Sequence, residues 1–348
     1  MGFSRPNLRR LAFWCKLVVP AALLTVIFCT VDFRGLLHSL ATVNFKLAVA
    51  TLFFGYLLPT VISTWRWHAI LRRFYGSDIS RGALLKHFWI GMFVGYLTPS
   101  GIGTDIYRVR ATAARAGGFE KSAAVVVGEK VFILLGNVLL LMGAYPLVSD
   151  LMAADPRVNH AITLLYGCGL AAAAILLLVA LAGPELSGRL VRPFRVKIGA
   201  AIDRLARQAG ITVAGAGERR WSPVTALSPF FAWRNQGLVI AFAILGQVVA
   251  SYGGRLMLLS VGVDLPLTAH LVVWTLITFI FLMPISFGTL GVREASYIVL
   301  FGLFGVGKES ALAASFVGLA CTLILIGIGG VIWLADTLLR GAGKRHEQ

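Results

Sequence analysis

Charge, and negative charge above all, is what this sequence lacks. Only 15 of its 348 residues are Asp or Glu, against 32 Lys and Arg, and charged residues make up 14% of the chain. A water-soluble domain carries about 25%. Metal and disulfide chemistry are also missing. Cys15, Cys29, Cys168 and Cys321 lie in apolar runs without ligand spacing, so they read as small packing residues. The histidines (His38, His68, His87, His160, His270, His346) are scattered, with no pair on one helix turn. No Gly-x-Ser-x-Gly elbow and no Walker-type phosphate loop occurs, which argues against a serine hydrolase and an intrinsic ATPase. We therefore expect no catalytic residues, no metal and no cofactor.

What is present is apolar length. The chain is 58% hydrophobic, and several stretches of about twenty residues carry almost no charge, enough to cross a hydrocarbon core roughly 30 Å thick. An outer-membrane barrel would instead show short alternating segments. The expected fold class is all-α: a polytopic membrane protein. Full spans are predicted at about 11–30, 47–70, 122–148, 161–183, 236–260 and 310–336. Shorter apolar runs, about 83–98 and 269–285, each end at a Pro-Gly turn. Arg5, Arg9 and Arg10 precede the first span, but no small-x-small cleavage site follows and Lys16 interrupts it, so a retained anchor is expected.

The net charge of +17 reads as positive-inside loop bias, not as nucleic-acid binding. Loop charge also constrains topology. If all eight apolar segments cross, the loop with Arg66, Arg72, Arg73 and Arg81 and the next loop, with Arg108, Arg110, Arg115 and Lys121, fall on opposite sides. The conflict disappears if 83–118 is a re-entrant hairpin entering from the cytoplasm and 269–305 a second one entering from outside. The result is six spans, two hairpins related by inverted topology and both termini cytoplasmic, in the inner membrane. Residues 1–348 then form a single integral membrane domain, with half-repeats at about 47–183 and 236–338. Between them, 185–235 is basic. Ile198, Ile202, Leu205 and Ala209 recur there at helical spacing, as in an interfacial helix on anionic headgroups of the cytoplasmic leaflet.

The two hairpins share a spacing: Pro99-x-x-x-Gly103-Thr104-x-x-x-Arg108 and Pro284-x-x-x-Gly288-Thr289-x-x-x-Arg293. Proline stops the helical ladder, and Gly101, Gly103, Gly288 and Gly291 permit tight turns. A helix starting near Thr104 would offer free N–H groups to an anion. Asp105 and Arg108, at i and i+3, can pair with each other or bracket a zwitterionic headgroup. Arg293 presents a planar fork to phosphate, with Glu294 as its local partner or as a ligand for an amine. Glu129 lies deep in its span, where it can neutralise Arg108 or Arg293 or relay a proton. Its neighbour Lys130 is expected to snorkel. Asn137 and Gln247 read as interhelical glue. The substrate-binding set is Asp105, Arg108, Glu129, Arg293 and Glu294, with both arginines at one shared site. Ordinary structural ion pairs are the plain alternative at each position.

Pro99 to Arg108, Gly128-Glu129-Lys130, the Gly288-x-x-Gly291-Val292-Arg293-Glu294 stretch and Gly329-Gly330 together resemble the flippase-like transmembrane domain of lysylphosphatidylglycerol synthases. The first turn has Gly103-Thr104-Asp105 where that family often has Gly-Gly-Asp. The resemblance implies a stand-alone transporter half without aminoacyl transfer, moving a phospholipid or a polyprenyl-linked lipid. A non-transporting accessory subunit, docking a lipid or glycan biosynthetic enzyme, is the other reading. The charge-derived topology has a direct test in a cysteine-free background. A cysteine placed just after Gly117 should label from the cytoplasm, and one near Lys308 from outside; the reverse at either site removes the inverted-hairpin arrangement.

Overall fold

The structure, a computed structural model, describes residues 25–27, 29–98, 101–149, 233–282 and 291–345, with isolated positions at Ala22, Thr163 and Gly167. Most of the expected spans 11–30 and 161–183, the basic segment up to residue 232, Pro99, and the turn holding Pro284, Gly288 and Thr289 lie outside those residues. Among the described residues every regular element is helical: α1 (Phe33–Ala41), α2 (Phe45–Tyr75), α3 (Arg81–Tyr96), α4 (Ile102–Thr112), α5 (Phe119–Ala144), α6 (Trp233–Ser260), α7 (Leu267–Leu282), α8 (Val292–Gly302) and α9 (Lys308–Arg345). The stretches Phe45–Tyr75, Phe119–Leu147, Gln236–Ser260 and Lys308–Leu339 are long and apolar enough to cross a membrane.

Several boundaries moved for local physical reasons. α2 runs past its expected end to Tyr75, and Gly76 closes it in the left-handed conformation. Helix α2 also carries a widened π-type turn over Leu52–Leu57. Pro59, which cannot donate to the carbonyl four residues back, sits just beyond it and accounts for the widening. The short α1 was not foreseen. Asp32 caps it by accepting from the backbone N–H groups of Arg34 and Gly35.

Helices α3 and α4 form an antiparallel hairpin, joined at Gly101, whose φ of 66° only glycine adopts without strain. Their backbones approach closely because glycine faces threonine. A Cβ on Gly95 would lie 1.8 Å from the Thr104 hydroxyl oxygen, and one on Gly103 would lie 2.4 Å from that of Thr98. The Gly91-x-x-x-Gly95 pair therefore plays the small-residue role familiar from membrane helix contacts. Thr104, where the related pattern has glycine, fits because Gly95 opposite has no side chain.

The same device recurs twice. Gly329 and Gly330 of α9 rest on α3, and a Cβ on Gly329 would sit 2.3 Å from the Trp89 carbonyl oxygen. Gly253 of α6 crosses Gly55 of α2 so tightly that its Cβ would be 2.1 Å from the Gly55 Cα. Helices α7 and α8 make a second antiparallel hairpin, in which Trp274 stacks near Tyr297 (ring centroids 5.6 Å apart) and His270 near Phe301 (5.7 Å).

One hydrophobic cluster gathers α1, α7, α8, α9 and the ends of α5 and α6. A second gathers the C-terminal part of α2 with α3 and α5 around Trp67. Replacing Gly95 or Gly329 by valine should lower stability by about 1–3 kcal/mol through overpacking. The same change at Gly143, whose Cβ would meet nothing within 4 Å, should cost far less. Thermal unfolding of the three variants in one detergent compares them.

Candidate functional site

The buried arginines and carboxylates among the described residues fall into two clusters. In the first, Glu129 on α5 is 1% exposed and Arg108 on α4 is 6% exposed. Arg108 Nη2 donates to Glu129 Oε2 at 2.5 Å. The second cation on this carboxylate is Arg66 of α2, whose Nε and Nη2 donate to Oε1 at 2.9 and 2.7 Å. Two buried guanidinium groups thus share one carboxylate.

Arg108 is placed by hydroxyl contacts between α4 and α5. Ser122 Oγ lies 2.9 Å from the Val109 carbonyl oxygen, Thr112 Oγ1 lies 3.0 Å from that of Arg108, and the two hydroxyls meet at 2.6 Å, so one hydroxyl donates to the other, which donates to its carbonyl. The guanidinium carbon lies 4.3 Å from the centre of the Trp67 ring and 5.3 Å from that of Phe88. A cation between aromatic faces is stabilised by their quadrupoles where water cannot reach it. Even so, Arg108 Nε is buried without a hydrogen-bond partner.

Asp105 and Arg108 do not pair with each other. Lys130 Nζ reaches Asp105 Oδ2 at 2.8 Å, with side chains 44% and 25% exposed. Lys130 thus has a specific partner and does not simply snorkel. Adjacent residues Glu129 and Lys130 point to different sides of α5, one into the bundle and one to its edge, and both reach α4. On the far side of the hairpin, Lys86 pairs with Asp336 of α9.

The second cluster is self-contained. Arg293 Nε and Nη2 donate to Glu294 Oε1 at 3.0 and 2.7 Å, and Ser315 Oγ of α9 donates to the same oxygen at 3.3 Å. Glu294 Oε2 accepts the Gly291 N–H at 2.6 Å, which caps the start of α8. Gly291 has a φ of 76°. Both arginines were expected at one site; each holds its own carboxylate, Glu129 for Arg108 and Glu294 for Arg293. The equal spacing conceals unequal helix starts: α4 begins at Ile102, six residues before Arg108, whereas α8 begins at Val292, one before Arg293. Tyr56 lies beside Tyr297 where Gly318 passes both. Glu129 neutralises Arg108 and not Arg293.

Arg66 was missed, having been counted with the loop arginines. A signal for it exists in the sequence: Ile62, Arg66 and Ile70 share a face at four-residue spacing, and tryptophans flank the arginine. The glue residues divide. Gln247 Nε2 donates to Thr278 Oγ1 at 3.4 Å between α6 and α7, while Asn137 is buried with its Nδ2 unpartnered. Of the cysteines in the described residues, Cys321 is buried and Cys29 exposed.

The sequence matches the family described as the lysylphosphatidylglycerol synthase TM region over residues 13–330. This chain belongs to that family. No curated protein matches it. Membership and the long apolar helices make it a multi-pass membrane protein with a lipid-related role. Within this family member, Glu129→Gln should destabilise the fold by about 3–5 kcal/mol, since both buried guanidiniums lose their counter-ion. Arg108→Gln should cost much less, because Arg66 and Glu129 remain a matched pair. Denaturant or thermal unfolding of the two variants, side by side, tests the ranking.

Proposed function

We propose that this protein is a lipid flippase or transporter of the cytoplasmic membrane, recognising an anionic or zwitterionic headgroup of a phospholipid or a polyprenyl-phosphate-linked lipid. It moves the lipid without altering its covalent structure. The observation that carries this reading is the Arg66–Glu129–Arg108 cluster, three buried ionisable groups of which Arg66 and Glu129 lie more than two turns inside long apolar helices. Charged groups at such depth are costly and mark substrate or ion pathways in membrane proteins. In this reading Arg108 receives the headgroup phosphate while Arg66 and Glu129 hold it in place. Asp105 and Lys130 flank the route, and Arg293–Glu294 secures the second hairpin.

The topology that goes with it has six spans, two re-entrant hairpins of inverted sense and both termini in the cytoplasm. Its support is length and pairing. Helices α3 and α4, with 16 and 11 residues, extend about 24 and 17 Å, short of a roughly 30 Å core. Each hairpin folds back on itself, so both of its ends face the same way. Basic residues at the outer ends of α3 and α4 (Arg81, Arg110, Arg115) fit a cytoplasmic face, and anionic headgroups there are natural neighbours.

The purified protein in proteoliposomes should move fluorescent phospholipid between leaflets, measured by dithionite quenching. Arg108→Ala, correctly folded, should slow that movement by about tenfold, a loss of roughly 1.4 kcal/mol of binding. A wild-type protein that moves no lipid leaves the accessory-subunit reading in its place.

A further inference from the structure

We infer that the lipid recognised at the first cluster carries one net negative charge, on a phosphodiester, and that a cationic aminoacylated headgroup is refused. The inference rests on the transport reading for the purpose of the site, and on charge matching for the nature of its ligand. Among the described residues, the interior carboxylates all have a cation already. Glu129 accepts from both arginines, Asp105 from Lys130, and Glu294 from Arg293, Ser315 and the Gly291 N–H. A cationic headgroup would find no free carboxylate there, and it would have to approach a cluster that is already positive.

The cations are the unmatched side. Two guanidiniums meet one carboxylate, and they hold it unequally. Arg66 uses two N–H groups on Oε1, whereas Arg108 uses one on Oε2 and keeps a buried Nε without a partner. Releasing Arg108 leaves Arg66–Glu129 as a neutral, doubly hydrogen-bonded pair. The surplus positive charge and the unused donor therefore both reside on Arg108. A guanidinium with Nε and an Nη free presents the planar fork that two phosphate oxygens fit. One such charge is balanced by one phosphodiester monoanion. Its tails can be diacylglycerol or polyprenol, since the charge count is the same.

The test is equilibrium binding to the full chain in neutral detergent, using acyl-labelled phosphatidylglycerol, phosphatidylethanolamine and lysyl-phosphatidylglycerol, with a glycosyl polyprenyl phosphodiester as the fourth probe. At least one of the two monoanions should bind about tenfold tighter than the zwitterionic and lysylated lipids, the scale of one charge-assisted hydrogen bond. Whichever monoanion binds more tightly identifies the tails. Arg108→Gln should erase the preference while lowering the unfolding temperature far less than Glu129→Gln does, which separates lost recognition from lost folding. Lysyl-phosphatidylglycerol binding as tightly as the monoanions, or more tightly, overturns the assignment even if the protein transports it. Selective binding of a monoanion without movement in proteoliposomes does the reverse: the charge assignment stands and the transport reading falls.

Discussion

The architecture of the first half depends on one carboxylate. Glu129 is buried in α5, and through it α2 and α4 are tied to the same point. Water cannot compensate either arginine at that depth, so the guanidiniums must find their counter-ion inside the protein. That requirement fixes the rotation of α5, because Glu129 has to face α2 and α4 together. With α5 set, Lys130 comes to Asp105 and Ser122 comes to the hydroxyl of Thr112.

Glycine makes these polar contacts geometrically possible. Hydrocarbon solvent supplies little drive for helices to associate, so van der Waals fit and interhelical hydrogen bonds must carry the fold. Gly95 against Thr104, Gly329 against the Trp89 carbonyl and Gly253 against Gly55 are contacts in which no other residue fits without displacement. They bind α3 to α4, α3 to α9 and α2 to α6. The hairpin beside the ion cluster is thus joined to the last long helix by backbone contact and by Lys86–Asp336.

Much of the fold was legible in sequence because apolar length is a strong signal. The stretches near 47–70, 122–148, 236–260 and 310–336 appear as α2, α5, α6 and α9, and the two short runs appear as the first arms of antiparallel hairpins. Individual partners were less legible. Asp105 and Arg108 share a helix face by spacing, yet each is taken by a residue of α5, which only tertiary packing could decide. The matching Pro-to-Arg spacings suggested equivalent arginines. Local capping overrode that: Gly101 starts one helix early and Gly291 starts the other late, leaving Arg293 one residue into α8 beside the carboxylate that caps it. Arg66 stands six residues before the Arg72-Arg73 pair, so in sequence it reads as one of the basic loop residues.

The order of Arg66, Arg108 and Glu129 along the chain has a consequence for biosynthesis. Translation delivers both cations before the anion, 63 residues ahead for Arg66 and 21 for Arg108. Until α5 is made, α2 carries an unneutralised guanidinium within a helix long enough to cross the bilayer, at a cost of about 2.5–3.5 kcal/mol on insertion scales, and the guanidinium on α4 also waits for its counter-ion. The arrival of α5 supplies the counter-ion of both at once. Insertion of the first half is thereby coupled to a single late segment, and the seat of α4 is settled by a helix synthesised after it.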